Sequence, residues 1–143
     1  MILADVNVLV YAFRSDSVRH EDYRDWLDGI VNDESAFGIS DLVASGFLRV
    51  VTHPRAFAHP SRLEAAIGFV EALQDQPNAV PVAPGDRHWR IFTDLCRGAG
   101  AKGNLIPDAY LAAIAIESGS EWVTTDRDYS RFSGLRWRHP LDG

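Results

Sequence analysis

The chain has 143 residues, 46% hydrophobic and 24% charged, with a formal net charge of −6 and a single cysteine. That length and composition suit one globular domain with a sizeable core. They exclude an internal disulfide and a membrane span, which needs ~18 consecutive apolar residues, and the negative balance argues against a protein that grips nucleic acid with its whole surface.

The opening stretch ILADVNVLVYAF is apolar but for Asp5 and Asn7. It shows no basic segment and no small-residue cleavage site, so no secretory signal is expected, and Cys96 reads as a buried thiol in a reducing, cytoplasmic compartment. Residues 2–5 read as a short buried strand and 8–13 as the start of a helix. Residues 18–32 place Tyr23, Trp26, Leu27, Ile30 and Val31 at helical spacing. Residues 37–40 read as a second strand and 41–52 as a helix. Two His-Pro pairs make 53–61 a loop. An amphipathic helix follows over 62–75, a strand over 79–83, and a helix over 86–97 carrying Trp89, Ile91, Phe92 and Leu95. Gly98, Gly100 and Gly103 predict a flexible loop. Pro107 opens a helix that Gly119 closes. Residues 122–125 and 135–138 read as the last strands. Trp26, Phe47, Phe69 and Phe92 are expected in the core.

Strands alternating with helices predict an α/β fold, a single domain over 1–143 with a central parallel sheet of four or five strands flanked by helices. In such folds ligands bind beyond the carboxyl ends of the strands. Asp5 stands there after the first strand, and Asp126 after 122–125 with Asp128 two residues on. Asp108 lies in a first helical turn, and Asp41 opens the helix after the second strand. Each alone has a structural explanation, as a cap or a turn residue. Together, carboxylates gathered at one edge repel unless a cation compensates. Mg²⁺ suits such a set, because it takes oxygen ligands, keeps several waters and needs few protein carboxylates. An activated water attacking a phosphodiester is the chemistry that follows. The five histidines offer no close ligand pair.

The segments ADVNVLVYA, ISDLVASGFLRVVTHP, NLIPDAYLAAIAIESG and WVTTDRDYSRF resemble PIN-domain ribonucleases, and among them the VapC toxins of VapBC toxin–antitoxin systems. The resemblance spans the chain almost end to end. It implies an endoribonuclease dependent on Mg²⁺ or Mn²⁺, acting on RNA, dimeric and held inactive by a VapB antitoxin. It implies Asp5, Asp108 and Asp126 as metal ligands, with Asn7 and Thr124 in support, Asn7 orienting Asp5, and Asp128 as a further acid. One position departs from the pattern: Gly46 stands where the family carries a glutamate, with Asp41 five residues earlier as a possible substitute. That departure motivates an alternative, an inactive PIN-like module that only binds its partner. A second alternative is an aspartate-dependent phosphatase, which would want an acid at Asn7.

Two basic groups, Arg87, His88 and Arg90, and Arg136, Arg138 and His139, read as solvated charges beside core aromatics. The other reading has them contact RNA phosphates while Trp89 or Trp137 stacks a base.

Overall fold

The computed structural model describes residues 1–142. Five strands, β1 (Ile2–Ala4), β2 (Phe37–Gly38), β3 (Ala79–Val80), β4 (Glu121–Val123) and β5 (Trp137–Arg138), form one parallel sheet in the order β3-β2-β1-β4-β5. Six helices connect and flank them: α1 (Val6–Phe13), α2 (His20–Val31), α3 (Asp41–Val51), α4 (Leu63–Gln74), α5 (His88–Ala99) and α6 (Leu105–Glu117). The chain builds outward from β1 to β2 and β3, then returns to lay β4 on the other side of β1. The strand order therefore reverses between β1 and β4. A crevice at the carboxyl ends is expected at that point.

The strands are very short, and packing rather than ladder length holds them. Leu3, Trp122 and Val123 are almost fully buried. Helix α6 buries Ala109 and the run Leu111–Ala115, so it lies inside the molecule and its pattern is apolar on nearly every face. Phe13, Phe47 and Phe69 form a second centre, with ring centroids 4.9–5.3 Å apart. Phe47 and Phe92 are buried, while Trp26 and Phe69 pack on the core with part of their surface exposed.

Several predicted elements shift. Helix α1 begins at Val6, two residues before the periodicity signals it, because the Asp5 carboxylate caps it by accepting from Val6 N at 2.7 Å. Helix α5 runs through Gly98 to Ala99. Gly100 closes it in the left-handed conformation at φ 58°, which suits a residue without a Cβ. The glycine loop thus shrinks to 100–104. Helix α6 starts two residues ahead of Pro107, whose missing N–H falls in the first turn, where helix N–H groups have no helical partner anyway. Strand β3 spans two of the five residues expected. Cys96 is partly exposed on α5 rather than buried.

The His-Pro loop is held by Arg14. Its guanidinium donates to the His59 carbonyl at 2.7 Å and Ser61 Oγ at 2.9 Å, forks onto Asp16, and stacks 4.0 Å over the Phe57 ring. This anchorage fixes Phe57, which lines the acidic cleft.

Candidate active site: an acidic cleft at the sheet switch point

Asp5 follows β1 directly. Its backbone N–H donates to the Val123 carbonyl at 2.9 Å, which pins it beside the end of β4. Asp5 is 6% exposed, and each of its carboxylate oxygens accepts a hydrogen bond. Oδ1 accepts from Val6 N, and Oδ2 accepts from the Thr124 hydroxyl at 2.7 Å. Burial raises its pKa from 3.8 to about 6, assisted by the charges of Asp108 and Asp126 and opposed by those two hydrogen bonds.

Thr124 does two jobs with one oxygen. It donates to Asp5 and accepts from Asp126 N at 3.0 Å, so the turn after β4 is locked to the turn after β1. Asp126 in turn caps the 3₁₀ turn Arg127–Arg131, accepting from Asp128 N at 2.9 Å. That turn buries Tyr129 beneath the cleft, where its hydroxyl donates to Asp108 Oδ1 at 3.3 Å. Burial, with the charges of Asp5 and Asp108 next, drives the phenol pKa far upward, so Tyr129 stays a donor. Asp108 lies in the first turn of α6 and is partly buried. Burial first, then the charge of Asp126, raises its pKa.

Asp5, Asp108 and Asp126 thus line one cleft of about 580 Å³. Asn7, Tyr11, Ser45, Gly46, Arg49 and Phe57 are among its other walls. Asn7 does not orient Asp5 as expected: its Oδ1 accepts from Thr125 N at 3.4 Å, tying α1 to the end of β4. Asp5 is oriented instead by Val6 N and Thr124, a consequence of Asp5 being the helix cap. Asp128 is exposed and does not line the cleft. Asp41 does not substitute for a carboxylate at Gly46. It is an exposed first-turn residue of α3 beside Ser40, and it lines a different hollow with Phe37, Ile39 and Leu73.

Gly46 does face the cleft, and a Cβ there would sit 3.0 Å from Val6 Cγ2. The glycine lets α3 approach α1 closely. Neither basic group reaches the cleft. His88 is 3% exposed, stacks on Phe92 and bonds the Tyr110 carbonyl through Nε2, so it is a core residue. Arg87 and Arg136 donate to the carbonyls of Glu117 and Gly119, and Arg138 pairs with Glu121 at 2.8 Å. Sequence reading missed Tyr129 and Arg49. The spacing Asp126-x-x-Tyr129 and the one-turn spacing Gly46 to Arg49 are the signals that point to them.

The carboxylate cluster fits a divalent ion in its chemistry: every acidic donor is an oxygen, and Asp5 and Asp108 are held above their ordinary pKa. Among the described residues, no three His, Cys, Asp or Glu side chains converge closely enough to ligate one ion. The fit is therefore to an ion held by few carboxylates with water completing its shell, as Mg²⁺ prefers.

The PIN domain family matches residues 2–135. The chain belongs to the PIN-domain family, in its VapC ribonuclease branch. Ribonuclease VapC43 of Mycobacterium tuberculosis is 48% identical over 143 residues, covering 100% of this chain and 97% of the relative. Ribonuclease VapC25 of the same organism is 43% identical over 140 residues, covering 98% and 99%. Among solved structures, VapBC2 from Rickettsia felis bound to a promoter DNA fragment superposes with a TM-score of 0.69 at 17% identity, over 97% of this chain and 98% of that one. VapC20 of M. tuberculosis, a sarcin-ricin loop cleaving toxin, gives 0.64 at 17% identity over 95% and 99%. At that identity the structural likeness concerns the fold. No helix among the described residues of this PIN-domain chain is long and apolar enough to cross a membrane.

Proposed function

We propose that this PIN-domain chain is a metal-dependent endoribonuclease, the toxin of a VapBC-type pair. The reading is carried by the convergence of Asp5, Asp108 and Asp126 on one cleft at the switch point. The full-length relatives named as ribonucleases support it.

One or two of Asp5, Asp108 and Asp126, with water completing the shell, would hold Mg²⁺ or Mn²⁺, which when bound would supply Lewis-acid stabilisation and an activated water for attack on an RNA phosphodiester. Asp5 is the fixed member, with one oxygen on Val6 N and the other on Thr124, so its orientation needs no rearrangement when substrate arrives. Thr124 transmits the same alignment to Asp126, and Tyr129 steadies Asp108 from below. Thr124 and Tyr129 are positioning residues. Asn7 keeps the α1 and β4 ends together, and Asp128 N holds Asp126 without its carboxylate entering the cleft. By family likeness the products carry 5′-phosphate and 3′-hydroxyl ends.

A VapB-like antitoxin is the proposed partner, since carboxylates accept an arginine fork well and the cleft holds three. A homodimer acting on cytoplasmic RNA completes the reading. Gly46 favours one rival, a partner-binding module without activity. Incubating the purified chain with RNA, with EDTA and then with Mg²⁺ or Mn²⁺ restored, separates them. Cleavage that stops in EDTA and returns with metal is expected. Cleavage undiminished in excess EDTA contradicts the metal mechanism, and no cleavage under any condition favours the rival.

A further inference from the structure

Arg49 is the one basic side chain among the residues lining the acidic cleft. It lies on α3, is exposed, and forms no ion pair or side-chain hydrogen bond among the described residues. An arginine that lines the same cleft as three aspartates yet pairs with none leaves its guanidinium free for another anion. Its position relative to Gly46 explains the room it has. Helical side chains lean back over the preceding turn, and the residues one turn back, Ser45 and Gly46, present a hydroxymethyl group and no side chain. Gly46 and Ser45 line the same cleft as Arg49, so the cleft wall one turn before it carries no long side chain.

We infer that Arg49 binds the phosphate of the RNA strand in the cleft, supplying from the α3 wall the positive charge that this chain cannot recruit with a carboxylate at position 46. The inference rests on the ribonuclease reading and deepens it. An RNA phosphate entering a cleft of three carboxylates meets repulsion, and the planar fork of a guanidinium matches two phosphate oxygens at once. The aspartates after β1 and β4 and on α6 would hold the metal, and Arg49 would grip the substrate from α3.

The test uses Arg49→Gln and Arg49→Lys in the intact chain, with Arg24→Gln, an exposed arginine on α2 that does not line the cleft, as control. Cleavage is followed with Mg²⁺ present. Binding of uncut single-stranded RNA is followed in an Asp108→Asn background across a salt series. Arg49→Gln is expected to lower kcat/KM about a hundredfold, on the scale of losing one charge-stabilising donor. It should weaken binding about tenfold and reduce the salt slope by about 0.7, the increment for one phosphate on a single strand. Arg49→Lys should restore the slope but only part of the rate, and Arg24→Gln should change neither. Wild-type rate and unchanged slope in Arg49→Gln overturn the inference. A wild-type chain that cleaves no RNA overturns the ribonuclease reading instead, and the binding arm still decides Arg49. Thermal melts confirm that each variant is folded.

Discussion

Asp5 and Asp41 stand at equivalent addresses, each at the start of the helix that follows a strand, on neighbouring strands of one parallel sheet. Their fates differ. Asp5 is the cap itself, buried, with both oxygens engaged and its pKa lifted to about 6. Asp41 leaves the capping to Ser40, whose Oγ accepts from Val43 N at 3.2 Å, and its own side chain stays in water. The difference lies in what sits next door. β1 is flanked by β4, laid down after the strand order reverses, so Asp5 and Asp126 follow neighbouring strands into one cleft, and α6 brings Asp108 to it. β2 is flanked by β3 in a simple outward progression, and the hollow there is lined mainly by apolar side chains such as Phe37, Ile39 and Leu73. A carboxylate after a strand becomes chemically useful where topology gathers others around it.

Charge removal should separate the two regions most sharply. Asp108→Asn or Asp126→Asn is expected to reduce RNA cleavage by at least about 10³-fold, whereas Asp41→Asn leaves it unchanged. A gel or fluorogenic RNA assay reads this directly. Loss of activity in Asp41→Asn would mean the outer edge also touches substrate.

Acidity offers the next contrast. Because the folded protein raises the Asp5 pKa, it holds a proton that the unfolded chain releases between pH 3.8 and about 6. The favourable linkage is fully present below the unfolded value and is lost as pH rises through about 6. The gap corresponds to at most about 3 kcal/mol. Denaturant melts of the metal-free protein should show Asp5→Asn gaining relative stability over that window, and a constant difference would mean that Asp5 does not titrate in it.

Smaller effects distinguish the two helix starts. Thr124→Val removes the donor to Asp5 and the acceptor for Asp126 N, and should destabilise the fold by about 1–3 kcal/mol while lowering cleavage about 10–100-fold. Ser40→Ala removes only a cap, about 1 kcal/mol, and should leave turnover intact. Equal losses of activity from both would break the distinction between a site support and a helix cap.

Much of this arrangement is legible in the sequence. Apolar runs ending in Asp5 and Asp126, and a Pro-Asp pair opening an apolar helix, are local signals, and parallel topology carries them to one edge. What escapes is what depends on neighbours far along the chain. Asn7 is two residues from Asp5 yet bonds Thr125, since its partner is chosen by the β1–β4 pairing. His88 looks like part of a surface basic group because Arg87 and Arg90 flank it, but the helix turns it inward onto Phe92 and Tyr110. Nothing local in the sequence assigns Tyr129 its role, which shows only in its burial and its hydrogen bond to Asp108. Asp41 failed as a substitute acid because five residues on a helix place it more than a turn from Gly46.

The clustered aspartates are kept for chemistry at the expense of the metal-free fold. Thermal melts of wild type and Asp108→Asn, in EDTA and across a Mg²⁺ series, test it most directly. Asp108→Asn preserves shape and an acceptor for Tyr129 while removing one of the mutually repelling charges. The variant is expected to melt a few degrees higher in EDTA, and the gap to close as Mg²⁺ is added because metal stabilises the intact site more. A variant that melts lower than wild type in EDTA would contradict it, and would make Asp108 a residue retained for the start of its helix.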